Sequence, residues 1–381
     1  MGRLGVDFYS ATRENTWPSD PNSKNSASRK GQMIQVMQRA YELNGDVMLT
    51  ADKQVSENIS LNGVLGAHIR SFQRDEMRWD ARDFKSEGVY HISNFNDIRP
   101  DASLYEKEMQ SVYFTGQIGY KNYLFVDVTG RNDWSSALGV NNQSFFYPSV
   151  STSFIFTDAF HLQSDIVNFG KVRASWAQVG NDSDPYMTRA GYSLYSTGFD
   201  GYPYASKSGT IPLWDLKNEL TESYEFGADF RFFNNRANLD LTYYNGKTTN
   251  QILSLPVTAS SGYHSQVINA GEIKNSGIEI TMGVTPIQYG LFRWRIDANY
   301  AANQSEVVVL DGIIQTYKLI QNDSHPALSN IHAQVDAPYG NIIGYAYKRA
   351  PDGQKIVSPA GRYLREDEVS VLGNITPDWI G

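Results

Sequence analysis

Cysteine is absent from this 381-residue chain, which excludes disulfide bonds, thiol catalysis and cysteine-based metal sites. The sequence also lacks any apolar run approaching the roughly 18 residues that a membrane-spanning helix needs. Lys and Arg number 33 against 41 Asp and Glu, so the net charge of -8 gives no reason to expect a nucleic-acid partner. The first residues, MGRLGVDFYS, lack the charged and apolar regions of a signal peptide. An exported protein with this start is expected to be part of a longer protein.

Alternation of apolar and polar residues is the most informative pattern that is present. In YEFGADFRF at 224–232, the aromatic residues and Ala fall on one face of an extended strand, while Glu, Gly, Asp and Arg fall on the other. The same alternation recurs along most of the chain, with aromatic residues at strand ends and no sign of a second core layer. A soluble sandwich also alternates, but this combination favours an all-β, antiparallel transmembrane β-barrel with its apolar face toward lipid.

The alternation predicts eleven strands, joined by connections of two lengths. The strands are expected at 2–10, 40–53, 58–72, 111–120, 123–131, 146–156, 170–180, 220–232, 237–247, 271–286 and 291–303. Tight turns are expected at 121–122, 234–236 and 287–290, and a helical turn within 157–169. Long polar loops are expected at 11–39, 73–110, 132–145, 181–219, 248–270 and from 304 onward. Outer-membrane barrels sort their connections in this way, with short periplasmic turns and long extracellular loops.

Eleven is an odd number of strands, whereas single-chain bacterial barrels have even numbers. An open sheet would leave unpaired edges in lipid, which is not viable. We therefore expect residues 1–381 to be part of a barrel domain that is completed by further strands.

Several long stretches resemble the SusC/RagA group of TonB-dependent outer-membrane receptors from Bacteroidota. The matching stretches are GRNDWSS at 130–136, FYPSVSTSF at 146–154, KVRASWAQVGND at 171–182, the segment from LKNELTESYEF to TTNQIL at 216–253, INAGEIKNSGIEI at 268–280 and LGNITPDWIG at 372–381. Their length, order and spacing make the resemblance specific, and it runs from about Tyr41 to the end of the chain.

The resemblance implies part of a 22-stranded barrel of the plugged-transporter type in the outer membrane. The plug domain, the TonB-contacting segment and the closing strands of the family have no counterpart in the sequence. The implied function is uptake of a nutrient, a glycan or an oligopeptide. The implied partners are a SusD-like surface lipoprotein, the TonB complex and outer-membrane lipid. No cofactor and no enzymatic activity are implied.

Aromatic residues in the long loops are the candidate ligand-binding residues. The loop 181–219 is rich in Tyr among Gly, Ser and Asp, and aromatic platforms with nearby polar groups hold sugar rings or peptides. The candidates are Trp134, Tyr195, Tyr202, Tyr204 and Trp214. For Trp134 the alternative is a girdle position at the membrane interface, and for the loop aromatics it is packing against other loops or a partner protein.

Catalytic and metal sites are not predicted. The segment 181–184, Asn-Asp-Ser-Asp, is faintly similar to a calcium-binding cluster but lacks the later Gly and Glu of an EF-hand loop. The six histidines show neither metal-ligand spacing nor a plausible triad. The second hypothesis for function is a barrel adhesin or hydrolase with a loop-borne binding site.

Overall fold

The structure, a computed structural model, describes residues 1–22, 30–162, 164–195, 202–320 and 329–376. Within these ranges the chain is built almost entirely of strands. In chain order they are β1 (Gly2–Trp17), β2 (Gln32–Ser56), β3 (Ile59–Phe84), β4 (Phe95–Tyr120), β5 (Leu124–Ser135), β6 (Ser144–Ile155), β7 (Val167–Asn181), β8 (Tyr192–Tyr195), β9 (Tyr204–Lys207), β10 (Thr210–Ile211), β11 (Glu219–Phe232), β12 (Ala237–Thr249), β13 (Ile252–Pro256), β14 (Ser265–Asn269), β15 (Glu272–Tyr289), β16 (Phe292–Val309), β17 (Thr316–Ile320), β18 (Ser329–Gln334), β19 (Asn341–Gly344) and β20 (Ser370–Asn374). One short helix, α1 (Phe156–Ala159), and 3₁₀ turns at Ile92–Asn94 and Ala259–Ser261 complete the described elements.

Eleven of these strands form one antiparallel sheet in the order β1-β2-β3-β4-β5-β6-β7-β11-β12-β15-β16. Each strand pairs with the next long strand along the chain, so the sheet is an up-and-down meander whose longer connections carry the small strands. The eleven strands predicted from alternation are confirmed one for one. This is the antiparallel β-barrel architecture expected from the sequence.

The pairing register gives the sheet two chemically different faces. One row of paired residues crosses nine strands and is apolar throughout: Ile59, Tyr120, Leu124, Phe154, Val172, Ala228, Leu241, Ile280 and Tyr300. A row on the opposite face is polar: Asp52, Asn62, Gln117, Asp127, Ser151, Ser175, Glu225, Tyr244, Gly277 and Asn303. Because neighbouring strands keep this register, the first is the outer, lipid-facing face and the second is the inner face.

Short connections all lie at one end of the main sheet. They are 57–58, 121–123, 233–236 and 290–291. Lys121, Asn122, Asn234 and Asn235 have positive φ angles between 50° and 61°, which Asn adopts more readily than most residues. The fifth connection at this end, between β6 and β7, contains α1, as the sequence predicted. This end of the sheet is the periplasmic end.

The extracellular ends of the first strands are longer than predicted. The strands β2, β3 and β4 have 25, 26 and 26 residues, whereas about 9–11 residues suffice to cross a bilayer. The predictions that 11–39 and 73–110 are loops were therefore wrong: β1 continues to Trp17, β2 begins at Gln32, β3 continues to Phe84 and β4 begins at Phe95. These strand ends lie beyond the membrane, where lipid no longer imposes alternation, and Met33, Ala81 and Phe95 are buried together at their tips.

Three smaller sheets of the described residues lie in the connections at the extracellular end. The strands β17–β20 form a four-stranded sheet within the segment from 304 onward, β10, β14 and β13 form a three-stranded sheet, and β8 pairs with β9. Among the described residues, no helix is long and apolar enough to cross a membrane.

Candidate functional site

A cavity of about 670 Å³ lies at the extracellular end, between the projecting ends of β3 and β4 and two of the long connections. Its lining includes Phe72, Lys107, Leu138, Tyr186, Arg189 and Trp214. Three of these side chains are aromatic and two are cationic, and Glu106 and Glu108 of β4 also border the cavity. An opening of this volume, with apolar surfaces and a few polar groups, is typical of a small-ligand site.

The segment 182–186 forms one wall because carboxylates and a hydroxyl hold it against β4. Asp182 accepts hydrogen bonds from the Lys107 ammonium at 2.6 Å and from the Ser135 hydroxyl at 2.5 Å. Asp182 is almost fully buried, with 7% of its side chain exposed. The Tyr105 hydroxyl donates to Asp184 at 3.0 Å. The charge on Lys107 is thereby matched before any ligand enters.

Tyr105 lies about 15 residues above the periplasmic end of β4, beyond the part of the strand that spans the membrane. Burial, together with the hydrogen bond to Asp184, raises the pKa of Tyr105 above its ordinary value. The hydroxyl therefore stays protonated at neutral pH and remains a donor that fixes the segment.

β5 ends at Ser135, so the extracellular part of β4 has no strand paired with its β5-side edge. Other groups bond to that edge instead. The backbone N–H of Glu108 donates to the Ser136 hydroxyl at 2.9 Å, and Ser136 N–H donates to the Glu108 carbonyl at 3.0 Å. One step higher, the N–H of Glu106 donates to the Tyr186 hydroxyl at 3.1 Å. These contacts satisfy backbone groups that would otherwise compete for a ligand or for another chain.

Trp214 is positioned by an apolar cluster beneath it. Leu138, Phe145, Leu216 and Val267 are buried together, and Leu216 is fully buried. Gly139 donates its N–H to the Leu216 carbonyl at 3.1 Å, and a Cβ at position 139 would lie 2.5 Å from the Trp214 carbonyl oxygen. Only glycine allows this close approach, which holds the backbone of Trp214 at the cavity while 72% of the residue stays exposed.

The predicted binding residues are not brought together in one place. Trp214 lines the cavity. Trp134 lies on the outer face, in register with Gln110 and Ser144, and borders a separate depression. Tyr202 and Tyr204 are exposed but do not line the cavity, and Tyr204 pairs with Tyr195 in the β8–β9 hairpin. The side chain of Tyr195 lies outside the described part of the chain.

Sequence reasoning missed Phe72, Lys107 and Arg189 as lining residues. Phe72 and Lys107 belong to β3 and β4, and they share the cavity with Arg189 only because the segment after β7 folds back over strands that lie about 80 to 120 residues earlier in the chain. No local pattern could have predicted this contact. Tyr186 was visible as one of the aromatics of loop 181–219, but its bond to the β4 backbone was not.

The segment 181–184 acts as an anchor in the structure, because Asp182 and Asp184 are bonded to Lys107, Ser135 and Tyr105. In the described ranges, no group of three or more His, Cys, Asp or Glu residues is arranged to hold a metal ion.

Charges on the inner face pair with one another. Arg295 and Asp297 form an ion pair at 2.7 Å. Glu225 lies 3.8 Å from Arg173, and Arg173 donates two hydrogen bonds of 2.9 Å to Asp240. This bidentate contact between Arg173 and Asp240 links β7 to β12 across β11.

Residues 3–354 match the family model described as "TonB dependent receptor-like, beta-barrel". Over 353 residues, the chain is 28% identical to TonB-dependent receptor P3 of Formosa agariphila, covering 85% of this chain and 35% of that protein. It is 26% identical over 365 residues to TonB-dependent receptor SusC of Bacteroides thetaiotaomicron, covering 89% of this chain and 35% of that protein. The chain thus spans about a third of the length of the curated relatives it matches.

Among solved structures, the RagAB peptide importer in its closed-closed state superposes with a TM-score of 0.77 at 20% identity. The match covers 99% of this chain and 42% of that chain. At this level of identity the likeness establishes the fold.

Proposed function

Because the chain belongs to the TonB dependent receptor-like β-barrel family of outer-membrane proteins, we propose that it forms barrel wall and extracellular surface of a nutrient importer. The proposed cargo is a glycan or an oligopeptide. The proposed partners are a SusD-like surface lipoprotein that covers the extracellular end and the TonB complex that supplies energy.

The extracellular cavity is the observation that carries this proposal. The exposed indole of Trp214, together with Phe72 and Tyr186, offers apolar surfaces on which a sugar ring or a peptide side chain can stack. The guanidinium of Arg189 can hydrogen-bond to hydroxyls or to the carboxyl end of a peptide. Such a mixed lining holds a bulky polar nutrient reversibly, as a transporter requires.

The family supports the proposed cargo and partners. One relative is SusC, and one structural neighbour is described as the RagAB peptide importer. The exposed Tyr202 and Tyr204, outside the cavity, suit the surface that a lid would cover. The relatives are receptors rather than enzymes, and no specific observation favours an adhesin or a hydrolase.

Alanine at Trp214 in the full-length receptor is expected to weaken substrate binding about 2- to 10-fold. The reason is that one aromatic stacking contact contributes about 0.5–1.5 kcal/mol. Binding of defined pools of neutral oligosaccharides and of oligopeptides would be measured by calorimetry with the purified receptor. The pool whose affinity falls identifies the class of cargo.

Two matched variants separate cargo binding from lid binding. Trp134→Ala removes an exposed Trp from the outer face and should leave cargo affinity unchanged. Tyr202→Ala should weaken capture of the purified lipoprotein without changing cargo affinity. If Trp214→Ala weakens only lipoprotein binding, the ligand role of the cavity is lost and a partner role replaces it.

A further inference from the structure

A second cavity, of about 480 Å³, lies at the opposite, periplasmic end of the sheet and opens on the outer face. Its lining includes Phe156, Leu162, Val167, Phe230, Phe232 and Leu239. Among the described residues, Ser164 is the polar member of the lining. We call this cavity the periplasmic crevice.

The crevice exists because the connection between β6 and β7 folds against the outer face of β11 and β12. Phe156, the first residue of α1, turns its ring over Gly170, where a Cβ would lie 2.0 Å from the ring. The absence of a side chain at position 170 therefore lets the tip of the ring approach β7 closely. Phe156 and Phe230 then stand 6.1 Å apart, measured between ring centroids. Leu162, from the connection between β6 and β7, also lines the crevice, so both the sheet and this connection contribute to its walls.

The crevice lies at the height of the membrane interface. A chain of ring contacts runs beside it, from Tyr120 to Tyr123, then to Phe154 and to Phe160, with centroid distances of 5.6, 6.0 and 5.9 Å. Such belts mark the level where hydrocarbon meets headgroups. Around the mouth, Phe160, Leu162 and Ile166 are 65%, 48% and 58% exposed. These apolar side chains need a covering that is itself apolar.

We propose that the periplasmic crevice binds one acyl chain of a phospholipid from the periplasmic leaflet. Among the described residues, the lining has no charged side chain and has Ser164 as its polar member, so a polar ligand would lose hydrogen bonds to water without replacing them. Water would gain little in such a space, because it needs two to four polar partners. The crevice is continuous with the lipid-facing rows of the sheet, so acyl chains already surround its mouth.

An acyl chain is expected to prefer the crevice over the surrounding bilayer because of closer packing, and not because of transfer from water. Lipid tails are as apolar as the lining, so the hydrophobic effect does not favour the crevice over the bilayer. What the crevice adds is contact on two sides of the chain, which the flat outer face cannot give. The bound lipid is thus expected to exchange more slowly than its neighbours and to survive gentle extraction.

Native mass spectrometry of the full-length receptor, extracted in mild detergent with added phosphatidylethanolamine, tests this proposal. The unmodified receptor should retain one phospholipid per chain. Leu239→Trp fills the crevice from the β12 side and should abolish retention. Met282→Trp is the matched control, because Met282 pairs with Leu239 on the next strand, faces lipid and lies outside the crevice lining. Its retention should equal that of the unmodified receptor.

Leu162→Ser provides an independent variant if Leu239→Trp fails to fold, because Leu162 lies outside every strand of the main sheet. It should also reduce retention, by opening the wall of the crevice. Retention of phospholipid in both variants would overturn the proposal. So would an unmodified receptor that carries only detergent, or a second copy of the chain bound at this surface.

Discussion

Substituting Arg for Ile296 or Ile280 is expected to lower the free energy of unfolding of the full-length barrel by about 2–4 kcal/mol near the bilayer midplane. Both side chains lie on the outer face: Ile296 pairs with Val284, and Ile280 pairs with Leu241 and Tyr300. A guanidinium at either position must move from water into hydrocarbon. The neighbouring residue pairs place no carboxylate on this face that could compensate its charge. Urea-dependent folding into lipid vesicles measures the loss.

The control substitutions for this prediction lie on the inner face of the same strands. Asn299→Arg introduces the same side chain at an exposed position paired with Thr281, and Glu279→Asn removes a charge that faces water. Both should change the unfolding free energy by less than the outer-face variants. Equal losses on the two faces would contradict the assignment of lipid and lumen.

The membrane-spanning part of the fold could be predicted from the sequence because lipid imposes a strict pattern on it. In β11, Phe226, Ala228 and Phe230 meet lipid while Glu225 and Asp229 meet water, so the period of two is visible locally. The turn at 233–236 then follows from its Asn residues. Each of these inferences depends only on neighbours in the chain.

The projecting strand ends could not be predicted, because nothing there imposes alternation. In β3, Gln73 and Asp75 continue the face that carries Leu65 and Ile69, while Arg74 continues the other. Where lipid covers neither face, either face can be polar, and the sequence pattern resembles that of a loop. What keeps the segment extended is its pairing on both sides with β2 and β4, a long-range cause.

The candidate site was predicted only where local composition was sufficient. Trp214 was selected from an aromatic-rich loop and lies at the cavity, whereas Phe72 and Lys107 acquire their position from contacts with the distant segment 182–189. Trp134 shows the opposite case, in which composition suggested a ligand contact but the register of β5 places the side chain on the outer face. The girdle alternative suits this placement, and unchanged cargo affinity in Trp134→Ala would support it over a ligand contact.

Alanine at Asp182 is expected to destabilise the extracellular end by about 1–3 kcal/mol, because it leaves the half-buried Lys107 ammonium with only the Ser183 carbonyl as acceptor. The Ser135 hydroxyl loses the same acceptor. The segment 182–186 should then detach from β4, and the cavity should lose the wall that holds Tyr186 and Arg189. Hydrogen exchange of this segment in the full-length receptor should accelerate, while exchange in the membrane-spanning strands stays slow.

Asp97→Ala is the matched control for Asp182→Ala. Asp97 forms an ion pair with Arg99 at 2.7 Å near the extracellular end of β4. The Asp97 side chain is 41% exposed and that of Arg99 is 51% exposed. Exposed pairs of this kind contribute about 0–1 kcal/mol, so exchange of the segment 182–186 should not change. If Asp182→Ala behaves like Asp97→Ala, other contacts hold the segment, and the cavity wall does not depend on the buried ion pair. Faster exchange in Asp182→Ala alone, together with weaker cargo binding, would link this one buried carboxylate to the shape of the site.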